Sequence, residues 1–330
     1  MPFTATEFWQ TLHQLPAFEP GLLCLLALLL AQGAALPRQY QPWPLLQLLA
    51  QRIEHKVNQP NDSPGQRRLA GTLALGLILA PSLLLLGTVR QLSEWPAGFD
   101  ALLLYLCLDQ RIYQRQIAEV ADSLQRQQRQ LAKDQLQPML RRDCAALSDT
   151  GLAKAGIEVL ALRQVRHFAA VLGWYLLGGA LAAVTWRMVL ELQQSWSGKI
   201  AAQRVFSTAI TLCSRLLIMP VLWIYGLLVA IMYRLWPALR YFSASGAAGL
   251  PAPDRFYLAA WSAALQRNLG GPVMYQGQKL RRDRIGPAAQ PQLSDLQLAL
   301  RLSRQLQWAV FLLLCCGLGL ILLYQWPGLH

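Results

Sequence analysis

Residues 69–89 read LAGTLALGLILAPSLLLLGTV, a run of 21 residues without a charged side chain. As a helix, this stretch is about 31 Å long, because each residue adds about 1.5 Å. The hydrocarbon core of a bilayer is about 30 Å thick. The stretch therefore predicts a membrane-spanning helix, and lipid becomes the solvent in which much of the chain folds.

Other apolar stretches follow the same pattern. Hydropathy predicts spans at about 21–36, 69–89, 168–190, 206–236 and 306–325. Residues 97–112 are short and contain Asp100, so hydropathy alone does not decide whether they cross. The sequence predicts an all-α, polytopic membrane helix bundle of about five or six transmembrane helices with helical cytoplasmic loops. We expect one integral membrane domain over residues 1–330.

The composition agrees with a membrane protein. Hydrophobic residues make up 54% of the chain and charged residues only 14%, whereas a soluble domain carries about 25% charged residues. The 30 Lys and Arg outnumber the 17 Asp and Glu. These cations are divided among several loops and are not gathered in one motif with aromatic residues, which argues against nucleic-acid binding. The expected partner is the lipid bilayer.

The basic residues also orient the chain. If 97–112 crosses, the loops 38–68, 109–167 and 237–305 share one side and hold 24 of the 30 Lys and Arg. The positive-inside rule places that side in the cytoplasm. We therefore expect six crossings of a bacterial inner membrane, periplasmic termini, and cytoplasmic loops at 38–68, 113–167 and 237–305. Arg90, Lys199 and Arg204 then lie on the opposite side. A re-entrant hairpin at 97–112 is the alternative.

The second basic loop predicts a helix from about Asp109 to Arg141. Its residues 114–136 contain no Gly or Pro and many good helix formers. Four apolar residues recur there at roughly helical spacing and support this helix: Ile117, Val120, Leu124 and Leu131.

Arg215 lies about ten residues inside a predicted span, where an unpaired charge is costly. We expect it to face an acidic partner or a water-filled cavity. Glu191 and Asp100 are the candidate partners.

The string LGGPVMYQG at 269–277 is followed by Ile285-Gly286. Two adjacent glycines and a proline predict a tight turn with exposed backbone N–H groups, and such a turn can bind an anion. The alternative is a helix C-cap followed by an ordinary loop.

This string resembles the C-terminal signature of the adenosylcobinamide-phosphate synthase family (CobD/CbiB). Members of that family are polytopic membrane proteins that attach aminopropanol to cobyric acid in cobalamin biosynthesis. The resemblance covers most of the chain. Its further anchors are Pro42-Trp43-Pro44, Arg142-Asp143 with Leu147, Glu158, Leu177-Gly178-Gly179 and Trp186-Arg187.

Departures from the family pattern concern acids and amides. The N-terminal DxxxGDP motif is absent. The family's EN…DG segment falls on Leu162, Arg163, Arg166 and His167, and its NTLDSM segment falls on residues 190–195, LELQQS. The family implies ATP and Mg²⁺ as cofactors. Magnesium prefers oxygen ligands, so no cofactor and no metal site is evident in this chain.

The resemblance therefore implies an amide-forming synthase whose catalysis is lost or altered, that is, a pseudoenzyme. The alternative function is a non-catalytic, AmpE-like membrane sensor or regulator of the cell-wall or β-lactamase response. A third hypothesis is an anion channel lined by Arg187, Arg215 and Arg234.

No catalytic residue is assigned from the sequence. The candidate ligand-binding residues are Arg142, Asp143, Glu158, Arg187, Gly270, Gly271, Pro272, Tyr275 and Gly277. Their ligand is expected to be a corrinoid or another anion. The competing interpretation is that these residues only preserve the fold.

Overall fold

The structure is a computed structural model, and it describes residues 18–34, 36–59, 61–140, 144, 147–198, 201–246, 249–275 and 278–325. The chain divides into two compact units. The first unit comprises residues 1–109, 171–214 and 307–330, and the second unit comprises residues 110–170 and 215–306. A single domain over 1–330 stays a prediction.

The described chain is almost entirely helical. Its first part forms α1 (Phe18–Gly33), a 3-10 turn (Arg38–Tyr40), α2 (Trp43–Val57), α3 (Pro64–Leu92), α4 (Pro96–Cys107), α5 (Gln110–Gln125), α6 (Arg129–Leu136) and α7 (Asp149–Gln164). A π-helix (Val165–Ala169) follows, and then α8 (Ala170–Ser195), a 3-10 turn (Ala201–Gln203), α9 (Thr208–Met232), α10 (Leu235–Ala244) and α11 (Ala252–Leu265).

In the described part of the chain, four short strands follow α11. They are β1 (Leu269–Gly270), β2 (Val273–Tyr275), β3 (Gln278–Leu280) and β4 (Arg284–Ile285), and the last helix is α12 (Leu293–Tyr324). Strand β1 pairs antiparallel with β4, and β2 pairs antiparallel with β3. The string LGGPVMYQG thus begins a strand hairpin and is not a helix cap followed by an irregular loop.

Helix α3 contains the stretch 69–89, and its sequence explains its start. Ser63 accepts a hydrogen bond from the backbone N–H of Gln66, and the Gln66 side chain accepts one from the Ser63 N–H. This capping box, with Pro64 at the first helical position, satisfies backbone donors that a helix N-terminus otherwise leaves free.

Apolar residues cover the outside of α3. Leu69, Leu73, Leu77 and Leu84 are between 60% and 71% exposed, whereas Ala74 and Ile78 on the other face are buried. A helix that exposes a row of leucines is stable in lipid and unfavourable in water.

Within the described residues, four stretches of helix are long and apolar enough to cross a membrane: Pro64–Leu92, Asp149–Ser195, Thr208–Met232 and Leu293–Tyr324. Helix α1 is apolar but has only 16 residues. The predicted fold class, an all-α membrane helix bundle, is confirmed.

Helix α4 lies in the segment whose crossing hydropathy leaves open. Its 12 residues span about 18 Å, which is less than the hydrocarbon core. It packs against α1, and the Tyr105 hydroxyl donates a hydrogen bond to the Ala34 carbonyl oxygen over 2.5 Å. Both the crossing at 97–112 and the re-entrant alternative stay predictions.

Helix α8 is broken at its two glycines. Gly178 has φ −141° and ψ 20°, and Gly179 has φ 68° and ψ −165°. The conformation of Gly179 is essentially restricted to glycine. The predicted span 168–190 is therefore not one uninterrupted helix, because its helical conformation is broken at Gly178 and Gly179.

The residues after the break run back along α3. Leu181 is the side chain nearest to Gly87, and the Phe206 carbonyl lies against Gly71. The Ala202 carbonyl accepts hydrogen bonds from Asn58, over 3.2 Å, and from Arg67. We expected loop 38–68 and Arg204 on opposite faces of the membrane. These contacts contradict that expectation, because groups separated by about 30 Å of hydrocarbon cannot bond.

The second basic loop forms two helices and not one. Gln127 has a left-handed φ of 61°, which ends α5, and α6 packs back against α5. Ile117, Val120 and Leu124 are buried, whereas Leu131 is 46% exposed, because the turn at Gln127 separates it from the helical phase of the other three.

Helix α11 lies in the core of the second unit. Nearly all its residues from Pro253 to Leu265 are buried, and the Tyr257 hydroxyl donates a hydrogen bond to the Ala161 carbonyl oxygen on α7 over 2.9 Å. A helix buried on every side is typical of a protein core.

We predict that Gly179→Ala lowers the free energy of unfolding by about 1–3 kcal/mol, because alanine is strained at a φ of 68°. Gly76→Ala is the matched control, since Gly76 is helical with open space beside it. The control is expected to be neutral or stabilising. Thermal unfolding in detergent measures both, and equal melting temperatures would contradict the prediction.

Candidate functional site

Two predicted site residues meet in the second unit. The backbone N–H of Gly270 donates a hydrogen bond to the Glu158 carboxylate over 2.8 Å. Glu158 is only 4% exposed. A carboxylate from the middle of α7 is thus held by a residue 112 positions later in the chain, and a hydrogen bond to an ionised acceptor is among the stronger ones.

The adjacent glycines make this approach possible. Gly270 has φ 73° and Gly271 has φ 89°. A Cβ atom at Gly270 would lie 2.5 Å from the Asp283 carbonyl oxygen, which accepts a hydrogen bond from the Gly271 N–H over 2.9 Å. The backbone donors of Gly270 and Gly271, which we predicted as anion-binding groups, therefore bind Glu158 and Asp283 of the same chain.

A lysine lies beside the same turn. The Lys154 ammonium is 3.0 Å from the Asn268 side-chain oxygen, and the Asn268 amide donates to the Pro287 carbonyl over 3.1 Å. Lys154 precedes Glu158 by one helical turn of α7, and its ammonium lies next to Gly271. Pro272, another predicted site residue, is exposed. The turn thus combines a buried carboxylate with a nearby cation.

The remaining predicted site residues are distributed differently. Arg142, Asp143 and Gly277 lie outside the described residues. The backbone of Tyr275 belongs to β2, but its side chain is outside the described part. Arg187 belongs to the first unit.

Arg187 is the centre of a buried ion network in the first unit. Its guanidinium donates to the two Asp109 carboxylate oxygens over 3.0 and 2.7 Å, and it lies 2.7 Å from the Glu191 carboxylate. All three residues are at most 3% exposed. The guanidinium also lies 5.0 Å from the centre of the Trp43 ring, and Gln47 donates a hydrogen bond to Glu191.

This network has a structural consequence. Asp109 and Glu191 neutralise a charge that would otherwise be costly among apolar helices. Sequence analysis found Arg187 by resemblance but did not find Asp109, because 78 residues separate the two and no spacing rule connects them. Asp100, considered as a partner of Arg215, is bound to Arg90 at 2.7 Å.

The segment that departs from the family pattern forms the end of α7 and the π-helix. The Arg163 guanidinium lies 4.6 Å from the Tyr113 ring centre and 3.1 Å from His167 Nε2. Because guanidinium can only donate hydrogen bonds, Nε2 of the fully buried His167 is the acceptor of this bond.

Gln164, between these residues in sequence, is also fully buried. Its side-chain amide donates to the Tyr225 hydroxyl over 2.7 Å and to the Ser303 carbonyl over 3.1 Å. A π-turn inserts an extra residue into a helix and often occurs at functional sites. Here it directly follows Arg163 and Gln164 and contains His167, and all three side chains have polar partners within the second unit.

Arg166 has a different environment. It lies 3.9 Å from the Asp254 carboxylate, at the start of α11, and 39% of its side chain is exposed. Burial raises the pKa of Asp254 above its ordinary value, and the positive charges of Arg166, Arg282 and Arg215 act in the opposite direction. Arg215 therefore lies within electrostatic reach of Asp254, an acid that the sequence analysis did not consider.

The residues in this segment do not fit a magnesium ion. Mg²⁺ takes oxygen ligands in an octahedral arrangement, whereas Leu162, Arg163, Arg166 and His167 offer no carboxylate or carbonyl side chain. Within the described residues, no group of three or more His, Cys, Asp or Glu could hold a metal ion.

The fold and these buried groups define an all-α membrane protein with polar networks in its interior. A family model described as CobD/Cbib protein matches residues 24–303. The chain belongs to the CobD/CbiB family. No solved structure shows a significant match.

Similar relatives carry the name cobalamin biosynthesis protein CobD. The protein from Chromobacterium violaceum is 27% identical over 293 residues, which cover 86% of this chain and 92% of the relative. The protein from Stutzerimonas stutzeri is 27% identical over 277 residues, covering 84% and 90%. The protein from Mycobacterium tuberculosis is 25% identical over 263 residues, covering 73% and 79%.

We predict that Arg187→Met lowers the free energy of unfolding by about 3–5 kcal/mol, because it leaves two buried carboxylates without their cation. Arg90→Met is the matched control. Arg90 is 43% exposed and also binds a carboxylate, and its loss is expected to cost at most about 1 kcal/mol. Chemical unfolding in detergent compares the two, and similar losses would contradict a structural role of the network.

We also predict that Glu158→Ala accelerates amide hydrogen exchange at Gly270 by at least about tenfold, because the hydrogen bond to a carboxylate is lost. Glu119→Ala is the control, since Glu119 is an exposed acid on α5. Unchanged exchange at Gly270 in the Glu158 variant would show that the bond contributes little to the turn.

Proposed function

We propose that this protein is a multi-pass CobD/CbiB-type protein of a bacterial inner membrane, related to cobalamin biosynthesis. We further propose that the family's reaction, attachment of aminopropanol to cobyric acid, is lost or altered in it. Membership of the family and the names of the relatives support the pathway. The side chains at 162–167 support the change in catalysis.

The carrying observation is the arrangement of Arg163 and His167. By resemblance, the family has an amide at position 163 and a glycine at position 167. It has acids at the positions that Leu162 and Arg166 occupy in this chain. In this chain, Arg163 stacks on Tyr113 and binds His167. These residues are therefore engaged in a cation–aromatic cluster in place of an oxygen-rich one.

The chemistry explains why this exchange matters. Forming an amide from a carboxylate requires activation of the carboxylate, and nucleoside triphosphates act with Mg²⁺ bridging their phosphates. Guanidinium groups supply no ligand to Mg²⁺ and repel it. A segment with Arg163 and Arg166 in place of an amide and an acid supports loss of the metal-dependent step.

The location follows from charge and length. The helices Pro64–Leu92 and Thr208–Met232 support membrane insertion. Of the 30 Lys and Arg, 24 lie in the loops 38–68, 109–167 and 237–305, which supports a cytoplasmic position of those loops.

A corrinoid or another anionic compound is the proposed ligand. Lys154 beside the turn at Gly271 is a positively charged group near the exposed Pro272, and it supports binding of an anion at that turn. The turn's own N–H groups are engaged within the chain, so side chains carry this interaction.

Complementation tests the proposal. A strain without its cobinamide-phosphate synthase is given this chain, and the Chromobacterium violaceum relative serves as the positive control. We expect no growth that depends on de novo corrinoid synthesis with this chain, although membrane fractions contain the protein. Growth equal to that of the control would overturn the loss of catalysis.

The AmpE-like alternative has a separate readout. Deletion of the gene is followed by measurement of β-lactamase induction and resistance to cell-wall antibiotics. A changed response that the wild-type chain restores would favour the regulatory function, and an unchanged response would remove it.

A further inference from the structure

Helix α2 exposes a stripe of side chains whose character changes along its length. Leu45, Leu48 and Leu49 in the first half of the helix are 71%, 54% and 49% exposed. Arg52 and Lys56 in the second half are also exposed, and they continue the same stripe, because residues three and four apart lie on one face of a helix. The stripe therefore begins with leucines and ends with basic residues.

The opposite face of α2 is held against the second half of α8 within the first unit. Trp43 and Ala50 are buried on this face. The Arg187 guanidinium lies 5.0 Å from the centre of the Trp43 ring. Further along both helices, the Trp196 indole N–H donates a hydrogen bond to the Ala50 carbonyl oxygen over 2.9 Å. Helix α2 thus runs beside this part of α8 and in the same direction.

The depth of α2 in the membrane follows from the position of α8 along α3. Leu181 of α8 lies beside Gly87 of α3, and from there α8 runs back towards the start of α3. Arg187 follows Leu181 by six positions, which is about 9 Å of helix. The same distance back from Gly87 reaches the middle of the uncharged run 69–89. Trp43, which lies beside Arg187, is therefore near mid-depth of the hydrocarbon.

The second half of α2 lies at the edge of that run. Asn58, directly after α2, accepts a hydrogen bond from the Arg67 guanidinium over 2.8 Å, and Arg67 lies just before Leu69, where the uncharged run begins. Lys56 is thus at the level at which α3 enters the hydrocarbon. Arg52 lies one turn further in, and its long side chain reaches the same level, as arginine side chains do near a membrane surface.

The start of α2 is suited to a position inside the membrane. A helix end in hydrocarbon needs its polar backbone groups satisfied within the protein. Pro42 and Pro44 flank the first residue of α2, and proline has no N–H that could be left unpaired. The Trp43 indole N–H donates to the Leu106 carbonyl oxygen over 2.9 Å, which satisfies one of the carbonyl groups that the end of α4 leaves free.

Lipid is the partner whose chemistry fits the exposed stripe. Leu73 and Leu77 of α3 lie at the same depth as the leucines of α2 and are 64% and 66% exposed. The surface of the first unit is therefore apolar at this depth on two helices, and acyl chains cover such a surface. Anionic headgroups attract basic side chains at its edge. The order of leucines and then basic residues along the stripe matches the order of acyl chain and headgroup in a lipid.

We propose that the first half of α2 is inserted in the bilayer, with Leu45, Leu48 and Leu49 against acyl chains and with Arg52 and Lys56 at anionic headgroups. The segment 38–68 is then not a loop in water. It contains a helix that begins near mid-depth and leaves the membrane on the side where α3 begins. The inference goes beyond the proposed function, because it concerns how the protein binds lipid.

Photo-crosslinking of the full-length protein in lipid vesicles tests the insertion. Leu48→p-benzoylphenylalanine is expected to give adducts with phospholipid, detected by mass spectrometry, at a yield similar to that of the same substitution at Leu77 on α3. Gln59, which is exposed after the end of α2, is the control position, and no lipid adduct is expected there. Leu45 is substituted in parallel, and thermal unfolding shows that each variant is folded.

Vesicles of equal parts phosphatidylcholine and phosphatidylglycerol test the basic end of the stripe. Adducts at position 48 are expected to contain the anionic lipid in at least about twofold excess, because each basic side chain near the surface attracts it. The double variant Arg52→Gln with Lys56→Gln is expected to abolish the excess. Equal capture of both lipids by the parent protein would overturn the role of the two basic residues.

The remaining outcomes separate lipid from other partners. Lipid adducts at positions 45 and 48 support insertion of α2. Crosslinks from both positions to a second copy of the chain alone overturn it in favour of a protein interface. Folded variants without any adduct at either position overturn it in favour of a helix exposed to water.

Discussion

A buried guanidinium between two carboxylates organises the first unit. Arg187 binds Asp109, which lies just after α4, and it also binds Glu191, which lies one turn further along α8. Gln47 of α2 completes the network through Glu191. An unpaired charge among apolar helices costs much free energy. Separating the three helical segments would leave such an unpaired charge, so the network opposes their separation. Hydrophobic contacts in lipid are less directional, so this polar network determines the register of the helices.

A second carboxylate has the corresponding role in the second unit. Glu158 binds the N–H of Gly270, and this bond connects α7 to a strand hairpin far along the chain. Two glycines with positive φ allow the approach. The same helix continues into the π-turn, where Arg163 and His167 are fixed against Tyr113. Residues 162–167 are thus the segment in which this chain differs from the family pattern, and their side chains form these contacts in the second unit.

By resemblance, Arg163 and Arg166 replace an amide and an acid of the family, which makes this segment more positively charged. An acid holds a metal ion, which in turn holds a phosphate, whereas an arginine binds phosphate without an intermediary. By resemblance, Arg166 stands where the family has an acid, and this exchange supports our proposal that the metal-dependent step is lost or altered.

Sequence alone determined the membrane class, the positions of the long helices, the family resemblance and the missing acids, because these follow from local composition and short motifs. The tertiary structure decided the rest. The left-handed Gln127 ended a helix that was predicted to continue, the break at Gly179 interrupted a predicted span, and Asp109 appeared as the partner of Arg187. Backbone reversals and pairings between distant residues depend on three-dimensional packing, which no periodicity in the sequence records.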